Sequence, residues 1–462
     1  MHYPLFEVPR LGGGMLIAIV AIFHVFVAHF AVGAGLFLAV GETVARRRGD
    51  NLLLRFLRDT IGALVLFSFV AGAVTGVGIW VTIGLVSPAA TSALIHNFVW
   101  GWAIEWVFFF VEIAAGYVYY YGWDRLSPRR HTAVAWIYAI AAFMSLVIIN
   151  GILTFMLTPG RWLELQQAGT ITGEQAFWYG FFNPTYWPSL LLRTVSCLAI
   201  VALFAAVIVN LKPSYSREER HAIITFASRF LLPLGLMAPL AALYFLKLPA
   251  EVRALPLGGA IAMTLFLAFG LVMSLLIGFY AYFGLIRAKR YVNLETSVLL
   301  LLAAFVATGS MEFVREGIRK PYLIYGYLYS NQIPAAPRTA DTLNRDGVLK
   351  HARFAWPPTM KEEDLGRVSL AERGRYVYQA QCRMCHEPGG TNAIEAIVPY
   401  ASRGWVETTT RHLHEVRHYM PPFLGTEDEL QALVEYQMEL IAAERAKHRP
   451  DPAAPARKEG SR

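Results

Sequence analysis

The sequence predicts an all-α fold: a polytopic membrane bundle of about eight transmembrane helices, followed by a small all-α domain near the C-terminus. Three observations carry this. Of 462 residues, 56% are hydrophobic and only 16% are charged, where a soluble domain keeps roughly a quarter of its residues charged. Apolar stretches near 14–40, 59–86, 95–121, 132–157, 187–211, 222–246, 258–286 and 295–318 are each long enough to cross a hydrocarbon core of ~30 Å as a helix. From about residue 319, polar residues and prolines return. The net charge of +8 is therefore read against the two faces of a membrane and not as a nucleic-acid footprint.

The first stretch is too long for a signal-peptide core and follows a single basic residue, Arg10, so it is expected to stay as a helix. Arg46, Arg47, Arg48, Arg55 and Arg58 follow it. Arg125, Arg129 and Arg130 follow the third stretch, Lys212, Arg217 and Arg220 the fifth, and Arg287, Lys289 and Arg290 the seventh. The N-terminus and the other loops carry Arg10, Arg161, Lys247 and Arg253. The richer set marks the cytoplasmic side of a bacterial inner membrane. With eight spans, both termini then lie in the periplasm.

Residues 1–320 thus form the membrane domain. Residues 321–364, with Pro334, Pro337, Pro357 and Pro358, read as an extended linker. Residues 365–446 regain globular character, and 447–462 read as a disordered tail. The three cysteines make no disulfide framework: Cys197 lies in an apolar run, and Cys382 and Cys385 stand together.

Cys382-Arg383-Met384-Cys385-His386 is the C-x-x-C-H pattern of a c-type haem. Two thiols on one helical turn can add to the two vinyl groups, and the imidazole reaches the iron from the same face. Such a short pattern also arises by chance, but its surroundings argue against chance. Helix-like AERGRYVYQAQ precedes it, and Met420-Pro421-Pro422 leads into helix-like TEDELQALVEYQMEL. A thioether from such a loop is the usual sixth ligand, so Met420 is expected opposite His386. His412, His414 and His418 compete for that role, although histidines on a surface helix are more often merely solvated. One covalent haem c follows, and the domain resembles a small class I monohaem cytochrome c.

Ionisable residues inside membrane spans are costly and usually face an interior site. Here they are His24 and His29, Glu105 and Glu112, Arg193, and Glu312, Arg315 and Glu316. His24 and His29 stand about 140° apart on a helix, so they face different neighbours. Glu105 and Glu112 share a face. For any single residue, a structural ion-pair role is as good a reading as a functional one. Taken together, the carboxyl and imidazole groups favour a haem or proton site.

At these residues the chain is similar to subunit I of the cytochrome bd quinol oxidases, over roughly residues 8–325. The similarity rests on FLAVGETV (37–44), AVTG (73–76), Ile104-Glu105, the box Gly122-Trp123-Asp124-Arg125-Leu126 after Tyr121, Asn150-Gly151, Asn183-Pro184, and Glu316-Gly317-Ile318-Arg319-Lys320-Pro321-Tyr322. The resemblance implies two non-covalent high-spin haems, b or d, near the outer surface. His24 matches the axial histidine of one and Glu316 the axial glutamate of the other. Glu105 and Glu112 match an acidic pair that supplies a further ligand and a proton route. Glu312 falls where the family has a tryptophan.

Three departures refine this. Arg193 stands where the family has the low-spin haem b histidine, and arginine has no lone pair for iron, so that haem is expected to be absent. A buried arginine there needs an anionic neighbour, a haem propionate or a lipid headgroup among them. The long quinol loop shrinks to KLPAEVRALPLG, and a cytochrome c stands in place of the ninth helix. The leading expectation is a respiratory enzyme fed through haem c by a periplasmic redox protein and reducing dioxygen to water. Nitric oxide is an alternative substrate. A non-catalytic electron-transfer subunit of a larger respiratory complex is the reading from another class. Family members pair with a second helical subunit, so such a partner, or a homologous copy, is expected within the lipid.

Overall fold

Small residues let the first helix pack closely on two others. In the computed structural model, which describes residues 6–447, α1 spans Gly13–Arg48. A Cβ on Gly33 would meet the Cys197 carbonyl oxygen at 2.2 Å. One on Gly35 would lie 3.1 Å from the Cα of Ala139. Glycine thus lets two further helices approach the α1 backbone, the usual device where lipid removes the hydrophobic drive between helices. Phe30, Ala34, Phe37 and Leu38 of α1 are fully buried in the resulting core.

The eight expected spans are all helices of sufficient length and apolarity. They are α1, α2 (Asn51–Val86), α3 (Pro88–Tyr121), α4 (Pro128–Phe155), α5 (Tyr186–Leu211), α6 (Arg217–Leu246), α7 (Ile261–Arg287) and α8 (Leu294–Gly317). Local chemistry sets their ends. Gly49 takes a left-handed φ of 66° after the basic end of α1, and Asp50 then caps α2 by accepting from Leu53 N at 2.9 Å. Ser127 and Pro128 open α4. Ser216 and Glu219 form a capping box on α6, and Asn293 caps α8. Pro233 sits in a tightened stretch of α6, Ser228–Leu236. Outward-facing Leu236, Leu246, Leu275 and Phe279 are exposed, as lipid contact allows. The helices run beyond the expected apolar limits: α1 reaches Arg48 and α4 begins at Pro128. Charged residues therefore extend the spans as helix. The only strands among the described residues are Tyr322–Ile324 and Leu328–Tyr329.

The second unit comprises the chain up to Leu16, residues Leu85–Ala89 and residues from Leu328 on. Its heart is the crossing of α10 (Leu370–Gln381) and α13 (Glu427–Lys447). A Cβ on Gly374 would lie 1.9 Å from the Ala432 carbonyl oxygen, so only glycine permits this crossing. Tyr378 packs edge-on against Tyr436 at 5.3 Å. Between them run α11 (Arg403–Arg411) and the single turn α12 (Leu413–Val416).

Residues 321–364 are not the extended linker that their prolines suggest. Pro337 opens a helix, α9 (Pro337–Asp346), where its missing N–H costs nothing. Leu343, Val348, Leu349 and Trp356 join one core with Tyr376, Val377 and Leu433. The buried carboxylate of Glu429 accepts from Val348 N at 2.8 Å and Leu349 N at 3.0 Å, tying this segment to α13. The guanidinium of Arg353 donates to the carbonyls of Trp356, Pro357, Pro358 and Met360. Apolar residues spaced among the polar ones drive this folding. Of the expected disordered tail, residues 448–462 lie outside the described residues.

The N-terminal segment belongs to the same unit. Phe6 N donates to Leu85 O at 3.2 Å, and Thr391 N donates to Arg10 O at 3.2 Å. Glu7 accepts from Arg383 at 2.5 Å and from Gln379 at 3.1 Å. Ala89 N donates to the Gln332 side chain at 2.8 Å.

Candidate haem sites

The C-x-x-C-H loop grows directly out of α10. Cys382 N still donates to Tyr378 O at 2.8 Å, and His386 N donates to Cys382 O at 2.9 Å. This winding gathers Cys382, Cys385 and His386 on one turn. Neither cysteine is in a disulfide, and burial beside Cys385 pushes the Cys382 thiol up to about 12. His386 Nδ1 donates to Asn392 O at 2.7 Å, which leaves the lone pair on Nε2. Asn392 in turn donates to Cys385 O at 2.9 Å, and the Tyr378 hydroxyl donates to His386 O at 2.6 Å. Two thiols and a tautomerically fixed imidazole fit a c-type haem. Arg383, between the cysteines, pairs with Glu387 at 2.8 Å as well as with Glu7.

Met420 lies in a loop held at both of its backbone groups. Its N–H donates to Arg417 O at 2.8 Å, and its carbonyl accepts from His414 Nδ1 at 2.8 Å. Of the competing histidines, His412 pairs with Glu415 and is exposed. His418 is exposed, its ring 5.9 Å from that of His414.

In the membrane unit, His24 of α1 faces Thr75 of α2, with Nδ1 3.0 Å from Oγ1. The Thr75 hydroxyl donates to Ala71 O at 2.6 Å, so its oxygen accepts from the imidazole and the lone pair rests on Nε2. A Cβ on Gly76 would lie 3.2 Å from His24 Cε1, so glycine keeps room for the ring. The AVTG stretch is thereby accounted for: its last two residues orient and accommodate His24. A π-type widened turn at Phe67–Ala71 delivers this segment. The arrangement fits an axial ligand.

Glu105 of α3 accepts from the Ser145 hydroxyl of α4 at 2.6 Å. Glu112, two turns further, is buried. The helix carrying both kinks at Phe98. Glu316 of α8 is engaged by Arg319, which also donates to Met156 Sδ at 3.1 Å. His24, Glu105 and Glu316 are each held by their own neighbours.

His29 faces elsewhere, as the helical spacing requires: its Nε2 meets Arg193 at 3.5 Å. Arg193 donates to Glu312 at 3.1 Å, and Arg315 donates to the other Glu312 oxygen at 2.7 Å. The anionic neighbour that Arg193 needs is thus a carboxylate of α8. This also gives Glu312 a partner. Sequence reasoning missed one buried set, Glu42 with Arg46, His131 and Thr132. Glu42 and His131 fell just outside the expected apolar limits, although Glu42 stands inside FLAVGETV and His131 shortly after the Gly122–Leu126 box.

The profile of the family "Cytochrome bd terminal oxidase subunit I" matches residues 14–247, and that of "Cytochrome C oxidase, cbb3-type, subunit III" matches residues 369–436. A curated relative, "Putative cytochrome bd menaquinol oxidase subunit I" of Bacillus subtilis (strain 168), is 28% identical over 165 residues. That match spans 36% of this chain and 36% of the relative, about a third of its length. The fold is similar to that of bd oxidase from Geobacillus thermodenitrificans, with a TM-score of 0.59 and 17% identity, over 74% of this chain and 94% of that one. The chain belongs to the cytochrome bd terminal oxidase subunit I family, as a multi-pass membrane haemoprotein that carries a cytochrome c domain at its C-terminal end.

Proposed function

We propose that this protein is a bd-type oxidoreductase that takes electrons from a periplasmic redox protein and reduces dioxygen to water. Cys382 and Cys385 hold one covalent haem c, with His386 and Met420 as its ligands. His24, Glu316 and Glu105 hold two high-spin haems, b or d, in the membrane unit. Bound haem supplies one-electron transfer and an open iron position for dioxygen. The side chains do the rest. The Ser145 hydroxyl orients the Glu105 carboxyl, and buried Glu112 on the same helix face is suited to hold a proton on the way to it.

The observation that carries the donor assignment is the Arg193–Glu312 pair. At the position where the resemblance implies a low-spin haem histidine, the interior is closed by an ion pair between α5 and α8. A quinol entry route has no ligand there, and haem c remains as the entry. Periplasmic orientation is supported by hydrogen bonds inside the second unit, which join Phe6 to Leu85 and Arg10 to Thr391. On this reading the N-terminus, the loop between α2 and α3, and the cytochrome c domain share the periplasmic side. A second helical membrane subunit, or a homologous copy, completes the assembly within the lipid.

The test is dioxygen consumption by the purified protein with reduced cytochrome c or a short-chain quinol as donor. Consumption with cytochrome c, lost in Cys382→Ala, is expected. Rapid quinol-driven reduction that persists in Cys382→Ala overturns the donor assignment. Haem reduction without dioxygen or nitric oxide consumption favours a non-catalytic electron-transfer subunit.

A further inference from the structure

We propose that Gln381 and His414 are positioning residues that clamp the loop bearing Met420 and so set how firmly its thioether stays on the haem c iron. The inference rests on the assignment of Met420 as the sixth ligand and assigns two residues outside the haem motif to that bond.

A neutral thioether is a weak ligand, so its occupancy of the iron depends on how little freedom its loop retains. This loop has few means of anchoring itself. Pro421 and Pro422 follow Met420 directly and have no N–H to donate. Beyond the bond from Met420 N to Arg417 O, the anchors come from side chains on either flank. On the upstream flank, His414 of α12 donates from Nδ1 to the Met420 carbonyl at 2.8 Å. On the downstream flank, Gln381 makes a reciprocal pair with Leu424: its Nε2 donates to Leu424 O at 2.7 Å, and its Oε1 accepts from Leu424 N at 3.0 Å. Leu424 is buried, and the next amide, Gly425 N, donates to Asn344 of α9 at 3.0 Å.

The location of Gln381 gives the clamp its meaning. It is the last residue of α10, directly before Cys382. One amide side chain thus ties the root of the haem-attachment turn to the segment carrying the opposite ligand. His414, a competitor for the iron on sequence grounds, also supports the Met420 loop through its Nδ1. Neither contact depends on a charge, so the clamp is expected to be insensitive to salt.

The experiment uses full-length detergent-purified protein with haem c attached, and titrates imidazole against the oxidised haem c while following its spectrum and midpoint potential. Each lost neutral hydrogen bond loosens the loop by about tenfold in the competing equilibrium. His414→Ala, which loses one hydrogen bond, should tighten apparent imidazole binding about tenfold, Gln381→Ala, which loses two, should tighten it further, and both should lower the potential. His414→Asn, which keeps a donor at the same reach, should restore most of the difference, whereas Gln381→Glu, whose second oxygen faces the Leu424 carbonyl, should not. His414→Asn also serves if an alanine variant fails to retain haem. A fall in thermal stability with unchanged imidazole affinity and potential overturns the proposal. If Met420→Ala itself leaves spectrum and affinity unchanged, the ligand assignment fails instead, and the two failures are distinguished.

Discussion

Two buried charge sets in the membrane unit are built from the same residue types and closed to different degrees. In the first, Glu42 accepts from Arg46 at 2.6 Å, His131 at 2.9 Å and Thr132 at 2.9 Å. Both nitrogens of His131 face acceptors, the second being Tyr119 O at 3.0 Å. In the second, His29, Arg193, Glu312 and Arg315 form a chain with loose ends: His29 Nδ1 and Arg315 Nη1 have no hydrogen-bond partner among the described residues. Burying ions is repaid only when their remaining hydrogen-bonding positions are satisfied. The closed set is a latch between α1 and α4 that needs nothing further. The open set sits where the family resemblance implies a haem, and it keeps polar capacity in reserve.

The largest test of this contrast is to remove the shared carboxylate of the open set. Glu312→Ala leaves Arg193 and Arg315 buried without their anion and should cost about 3–5 kcal/mol of stability. The double variant Arg193→Leu with Glu312→Leu should recover part of that loss, because Arg315 alone then stays without its anion. Thermal unfolding in detergent measures both, and a double variant as unstable as the single one breaks the ion-pair account.

Next in size is the closed set. Glu42→Ala removes three donors' acceptor at once and should cost about 2–3 kcal/mol. Haem content should stay unchanged, whereas Glu312→Gln should alter the spectrum of the membrane haems. Equal spectral effects from both would erase the distinction between latch and site.

A finer test lies at His24. Thr75→Val retains the imidazole but removes the acceptor that fixes its tautomer. Retention of the non-covalent haem on dilution should weaken by about tenfold or more, short of the complete loss expected for His24→Ala. Identical haem binding in Thr75→Val and the unaltered protein defeats the orienting role.

The smallest expected effect belongs to an exposed pair in the cytochrome c domain. Arg411 donates to Glu427 at 2.6 and 2.7 Å and holds that carboxyl at about 2. Because the folded value is depressed, the pair contributes stability above the ordinary carboxylate range and loses it as pH falls towards 2. Both side chains are exposed, so Glu427→Gln should only slightly flatten the acid limb of the Tm–pH curve. A large drop in Tm at neutral pH would give the surface pair the weight reserved here for the buried sets.

The spans were legible because lipid imposes a length and a composition on them, and the haem motif because its chemistry needs fixed spacing. The partner of Arg193 was legible as a requirement, an anion, before Glu312 was known to meet it. Glu42 and His131 were not legible as buried, because an apolar window ends where charge begins while the helix goes on. The folding of residues 321–364 escaped for a related reason. Pro337 starts a helix, and Glu429 reaches from a distant helix to satisfy two amides, so neither feature reads as structure locally. The clamp on Met420 escaped because Gln381 and His414 act through backbone atoms of other residues.

The pairing of Glu7 with Arg383 also orders events in time. The partners are separated by 376 positions, so the segment made earlier must wait for the one made later. Until then Phe6 can dock on Leu85, but Glu7 has no Arg383 to pair with, and contacts of such long range close late. Glu7 is fastened only when the C-x-x-C-H loop has folded, through Arg383, one of the two residues between its cysteines.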